Sequence, residues 1–314
     1  MRTRQWLVVL LALALGACAA APGDIAMDAR HYMREVEQWR AQRLARLRAV
    51  DGWLSYTGSG RLKPGTYRVG SAADNDLVLP GGPARLGLLQ LDKDGRAWMD
   101  GATGSDATLD GQPLRQARLR VGVGGVREAS RIQFDTSEFY LVRMGSIVGW
   151  RFRDANAARR REFQGIEHFR VDRRWQLHAR WQPFATPREA VLLTSIGTPL
   201  AAQVPGEAIF EIEGRSYRLQ PVLDLEAVPS RRLFFLFSDR TSGRETYGGA
   251  RYLYAAEPKD GKLVLDFNRA ENPPCALTPH VVCPIAPAIN KLDPGPMFPW
   301  ELVLRAIDLQ QLPD

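Results

Sequence analysis

Leu233-Phe234-Phe235-Leu236-Phe237 is the densest apolar run beyond the first twenty residues. A membrane-spanning helix needs about 20 apolar residues, so these five make a buried strand. Similar segments lie on either side. Phe163–Val171, Trp175–Trp181, Ala190–Ser195, Ala208–Ile212 and Ser216–Leu219 precede the run, and Arg251–Ala255 and Lys262–Phe267 follow it. Glu213-Gly214 and Asp260-Gly261 supply hairpin turns. Eight short strands without a long helix predict a sandwich or partly closed barrel over residues 150–314. Leu302–Leu309 reads as a closing helical turn or strand.

Upstream, residues 51–149 form a second β-rich domain, with glycines separating runs such as Tyr67–Val69, Leu77–Leu79, Leu86–Leu91 and Leu119–Val121. Within it, Val69-Gly70-Ser71-Ala72-Ala73-Asp74-Asn75-Asp76-Leu77-Val78-Leu79-Pro80 resembles the opening of a forkhead-associated domain. The resemblance implies a β-sandwich. That family reads phosphothreonine through Ser-Arg-x-His, and the matching stretch here is Ala84-Arg85-Leu86-Gly87. With the hydroxyl donor and the histidine both missing, Arg85 alone does not make a phosphopeptide site.

Residues 24–50 carry a helical pattern, with Tyr32, Val36, Trp39, Leu44 and Leu47 near one face and Asp24 positioned to cap the start. Arg30, Arg34, Glu37, Arg40 and Arg48 mark the opposite face. The stripe would pack on a domain; the arginines would alternatively meet anionic headgroups. Before the helix, Arg2 and Arg4, the apolar run Trp6–Ala14 and Leu15-Gly16-Ala17-Cys18 follow the order of a secretory signal peptide over residues 1–17. The last four residues resemble the lipobox of bacterial lipoproteins. The resemblance implies that Cys18 becomes an acylated N-terminus, residues 18–23 being its tether to the membrane. Ala19 in place of aspartate implies the outer membrane of a bacterial cell envelope, facing the periplasm.

Loss of Arg2 and Arg4 with the signal takes the formal charge from +7 to +5. The remaining arginines are scattered, Arg159-Arg160-Arg161 being the one triplet, and a nucleic-acid surface needs a concentrated basic face. Nucleic acid is therefore not an expected partner. Cys275 and Cys283 stand eight residues apart in a proline-rich segment. An oxidising compartment favours a disulfide, which would stabilise by about 2.5 kcal/mol through loop closure. A metal site with His280 and a reactive thiol are the other readings.

Ser238-Asp239-Arg240-Thr241-Ser242-Gly243, Thr246–Leu253, Leu265–Ala270 and Asn272-Pro273-Pro274-Cys275-Ala276 resemble the ordered motifs of the bacterial DUF1684 family, as do Gly52-Trp53-Leu54 and Asn75–Pro80 further upstream. The family's function is uncharacterised, so the resemblance implies a fold unit without a reaction. Glu271 departs from its usual aromatic, and the usual Gly-Glu ending is missing near Pro299-Trp300-Glu301.

Arg240, Thr241, Tyr247, Arg251, Asp266, Asn268 and Asn272 are the candidate ligand-binding residues. Two guanidinium groups with a phenol suit a carboxylate or phosphate-like group. The same residues would alternatively hold turns together, with Asp266 pairing Arg251. No Gly-x-Ser-x-Gly, His-Glu-x-x-His or phosphate-cradling loop is present, and His31, His168, His178 and His280 are scattered. No catalytic residue, metal or cofactor is assigned. The expected function is binding or scaffolding, with an anionic small molecule or an envelope protein as partner. Hydrolysis of an anionic small molecule through the Arg240–Cys275 motifs is the alternative.

Overall fold

A computed structural model describes residues 22–123, 129–223 and 232–292. Signal, lipobox and Cys18 lie outside these residues, as does Leu302–Leu309. Among the described residues, no helix is long and apolar enough to cross a membrane. The chain is mostly β, in two β-rich units behind one N-terminal helix.

Helix α1 covers Pro22–Leu47. It starts two residues before Asp24, which lies inside the first turn instead of capping it. Tyr32, Val36 and Leu47 are buried, as the apolar stripe requires. Arg40 and Arg48 donate to the carbonyls of Phe169 (2.9 Å) and Phe163 (2.7 Å).

The first unit contains β1 (Tyr56–Leu62), β2 (Gly65–Gly70), β3 (Leu77–Val78), β4 (Gly87–Leu91), β5 (Ala97–Gly101), β6 (Thr108–Leu109), β7 (Gln112–Pro113), β8 (Ala117–Leu119), β9 (Gly122–Val123), β10 (Ile132–Phe134), β11 (Ser137–Met144) and β12 (Ile147–Asp154). One sheet runs β3-β2-β4-β5-β8 and the other β1-β12-β11-β10-β6-β7, with β9 beside β11. Val69, Leu89 and Met99 from the first sheet pack on Phe139, Leu141 and Phe152 from the second. β12 runs unbroken past the expected boundary at 149/150, because it pairs with β1 as far as Arg153 and with β11 as far as Asp154.

After the short helix α2 (Ala158–Arg161), residues 163–171, expected as a strand, form an irregular strap. Arg40 of α1 and Arg48, just beyond its end, take two of its carbonyls in place of a sheet partner. The second unit contains β13 (Gln176–Leu193), β14 (Pro199–Ile212), β15 (Arg215–Leu219), β16 (Val222–Leu223), β17 (Arg232–Phe237), β18 (Arg251–Ala256) and β19 (Lys262–Asp266). They form sheets ordered β15-β14-β13-β19 and β16-β17-β18. The two strands expected at 175–181 and 190–195 are one, β13, whose register shifts between Pro183 and Arg188. Both turn pairs have positive φ throughout, 47° and 75° at Glu213-Gly214 and 50° and 69° at Asp260-Gly261. That geometry matches the twist of the flanking strands.

The continuous apolar character of β17 comes from burial on both faces. Leu233, Phe235 and Phe237 face the core of the second unit with Leu253 and Phe267. Phe234 and Leu236 point the other way, into a core shared with Tyr252 and with Tyr56 and Tyr140 of the first unit. β11 alternates in the same fashion, Phe139 and Leu141 inward and Tyr140 toward the second unit. The Tyr56 and Tyr140 hydroxyls hydrogen-bond each other at 2.6 Å inside that shared core.

Candidate functional site

The motif side chains separate into three clusters. The first closes the 238–250 loop. Arg251 opens β18 opposite Phe237, and its guanidinium lies 4.5 Å from the centroid of that ring. It pairs with Asp239, the two side chains being 2% and 0% exposed. Asp239 Oδ1 also accepts from the Thr241 amide (2.8 Å) and hydroxyl (2.7 Å), and the Thr241 and Thr246 hydroxyls meet at 3.2 Å. Burial pushes Arg251 down from its ordinary value, and Asp239 opposes the shift. Breaking such a pair costs about 3–5 kcal/mol. Arg251 thus faces Asp239, not the expected Asp266. Arg240 is exposed and lines a surface cavity with Asp239, Ser242, Arg244 and Lys291.

The second cluster fastens α1. Tyr32 donates to Asp266 Oδ1 at 2.7 Å, and Asn268 Nδ2 donates to the Tyr32 hydroxyl and the Asp172 carbonyl, both at 2.8 Å. Asn268 Oδ1 accepts from the Asp172 amide at 3.0 Å. Burial, then the Asp266 carboxylate, raises the Tyr32 phenol well above its ordinary range. Arg43, one turn-multiple along α1, pairs with Glu271 and donates to the Asn272 carbonyl at 2.9 Å. The unusual glutamate at 271 is therefore the counter-charge of a buried arginine. Burial raises Glu271 and lowers Arg43, each partner opposing the other's shift. His168 beside them is lowered to about 4 by burial, then by Arg40 and Arg43, and is neutral near pH 7.

The third cluster holds the cysteines. The expected disulfide is not formed: Cys275 and Cys283 are free thiols, set side by side with the Cys275 amide donating to Cys283 Sγ at 3.1 Å. The segment is pinned by Ser195, whose amide donates to the Cys283 carbonyl (2.8 Å) and whose Oγ accepts from the Cys283 amide (3.3 Å). Tyr252 donates to the Pro284 carbonyl at 3.0 Å. A hydrogen bond from Cys283 is the main cause holding the Cys275 thiol below its ordinary range; burial opposes it, and Tyr247 and Ser195 assist. Burial drives the Cys283 thiol up. His280 Nδ1 lies 3.3 Å from Ser59 Oγ. Among the described residues no three His, Cys, Asp or Glu side chains are grouped to hold a metal ion.

In the first unit Arg85 is engaged by Asp74 and by Asn75 Oδ1 (3.0 Å). The carboxylate occupies the cation and would repel a phosphate.

A family profile described as "Protein of unknown function (DUF1684)" matches residues 161–294. A solution NMR structure of an uncharacterized protein of Haloarcula marismortui is 30% identical, covers 43% of this chain and 74% of that one, and superposes with a TM-score of 0.36. The chain belongs to the DUF1684 family. A crystal structure of Rad53 1–466 in complex with AMP-PNP aligns at 10% identity over 71% of this chain and 51% of that one, with a TM-score of 0.15. No curated protein matches. The DUF1684 segment contributes to all three clusters, but the second reaches outside it, to Tyr32 and Arg43. These two helix residues were not sequence candidates. Their eleven-residue separation, close to three full turns, places them on one face and is the signal that would have found them.

Proposed function

We propose that this DUF1684 protein is a non-enzymatic binding or scaffold protein, lipid-anchored through Cys18 to the outer membrane of a bacterial envelope and facing the periplasm. The observation that carries the non-enzymatic part is the fate of Arg251, sealed against Asp239 at 2% side-chain exposure. Asp266, Asn268 and Glu271 likewise hold α1. Hydrolysis of an anionic small molecule would need Arg240, Tyr247 and Arg251 in one pocket. Arg240 instead lies at an open surface, Arg251 in the core and Tyr247 beside the thiols. The first unit serves the scaffold as a forkhead-associated-like sandwich without its phosphothreonine chemistry.

Two measurements test this reading. Palmitate labelling in cells should mark the wild-type protein and be lost in Cys18→Ala; retained label overturns the anchor. Arg240→Ala should leave the melting temperature and the protein's cellular activity unchanged. A folded Arg240→Ala protein that had lost activity would restore the ligand reading.

A further inference from the structure

The cysteine cluster has a division of labour that neither a packing role nor a static cross-link requires. Cys275 is partly exposed, beneath the exposed Ser195 and the half-buried Tyr247, whereas Cys283 is 4% exposed. The Cys275 amide donates to Cys283 Sγ, which places the second sulfur against the first residue's backbone. Cys283 first, then Tyr247 and Ser195, hold the Cys275 thiol below its ordinary range against the opposing effect of burial, so of the two thiols the accessible one ionises more readily. Burial pushes the neighbouring Cys283 thiol in the opposite direction. Arg151, largely buried and hydrogen-bonded to the Trp150 carbonyl at 3.1 Å, supplies a positive charge toward Cys283.

We propose that Cys275 and Cys283 form a reversible dithiol–disulfide couple, Cys275 attacking and Cys283 resolving, with a low-molecular-weight or protein disulfide as co-reactant. The Cys275 thiolate attacks one sulfur of the co-reactant, forming a mixed disulfide and releasing the first thiolate. Cys283, giving up its proton, then attacks Cys275 Sγ, closes the intramolecular bond and releases the second thiolate. Two electrons pass to the co-reactant, which leaves as two thiols after taking up the two protons the pair lost.

The couple sits in a strap between the two β units. Cys283 is tied to Ser195 after β13, Leu277 accepts from Arg159 at 3.4 Å, and His280 meets Ser59 of β1. Closing the bond tightens this strap, so redox state would set the stiffness of the joint. The inference does not depend on the lipid anchor.

The test uses the full purified protein in glutathione buffers of graded oxidation, with alkylation and mass spectrometry as readout. Oxidised glutathione should close the Cys275–Cys283 bond and reduced glutathione should reopen it in the folded protein. Cys283→Ser should accumulate glutathione at Cys275, and Cys275→Ser should label Cys283 roughly tenfold or more slowly. Circular dichroism of both serine variants verifies the fold. Equal labelling of the two single variants would overturn the division of roles. A bond that never closes in folded protein, or that closes and resists reduction, would overturn reversibility.

Discussion

The Asp239–Arg251 knot and the Cys275–Cys283 pair are both built from family motifs of the second unit, yet their chemistry ends in opposite states. In the knot Arg251 faces Asp239, side chains are 2% and 0% exposed, and the ion pair is walled by Phe237. At the thiols one reactive residue, Cys275, is partly exposed, and neighbouring donors hold its thiol below the ordinary range. Motif residues of equal polarity therefore divide by whether the fold completes them internally. The knot is architecture; the thiols retain reactivity.

The sharpest way to break this contrast is Asp239→Ala. It strands the Arg251 guanidinium in the core, and a loss of about 3–5 kcal/mol is expected in urea denaturation. A loss under 1 kcal/mol would mean that Arg251 reaches solvent and can take a ligand. Next comes Asn268→Ala, which removes the clip joining Tyr32 to Asp172. About 1–3 kcal/mol should go, with faster amide exchange along α1; exchange confined to β19 would contradict the latch.

A pH titration separates buried from surface pairing. Arg68, by side-chain and then backbone hydrogen bonds, lowers Asp76 to about 2. The folded value lies below the ordinary carboxylate value of about 3.9, so Asp76 contributes stability above that value and loses it as pH falls through about 2. Asp76→Asn should flatten this small acid limb in paired unfolding curves; an unchanged limb would exclude the pair as its source. The smallest effect belongs to Arg85→Ala at the exposed Asp74 pair. The melting temperature should stay where it is, and calorimetric titration with phosphothreonine peptides should give no heat before or after the change. Phosphate-dependent binding lost in Arg85→Ala would make the first unit a reader.

Strand composition and turn chemistry made much of the β architecture legible. Glu213-Gly214 and Asp260-Gly261 adopt the positive φ angles their residue types allow, and Leu233–Phe237 is the doubly buried strand its apolar run implies. The separation of Trp175–Trp181 from Ala190–Ser195 was misleading. A shift in strand register between Pro183 and Arg188 accommodates the prolines Pro183 and Pro187, so β13 continues. Residues 163–171 have strand composition, but Arg40 of the distant helix and Arg48 just after it satisfy two of their carbonyls, and no local pattern encodes that. The candidate site was less legible. Proximity in sequence suggested one pocket, whereas partner choice depended on long-range contacts of Asp266 and Asn268 with Tyr32 and of Asn272 with Arg43.

The two-sided burial of β17 also governs cooperativity. Phe234, Leu236 and Tyr252 share their core with Tyr56 and Tyr140, beyond the family segment that begins at residue 161. Released from the first unit, residues 161–294 would present that apolar sheet face to water, a surface prone to self-association. The stretch that defines the family and the stretch that melts as a unit are different objects. Heating the intact chain should give one calorimetric transition with matching calorimetric and van't Hoff enthalpies, the second unit holding its native structure only as long as the first remains folded against it.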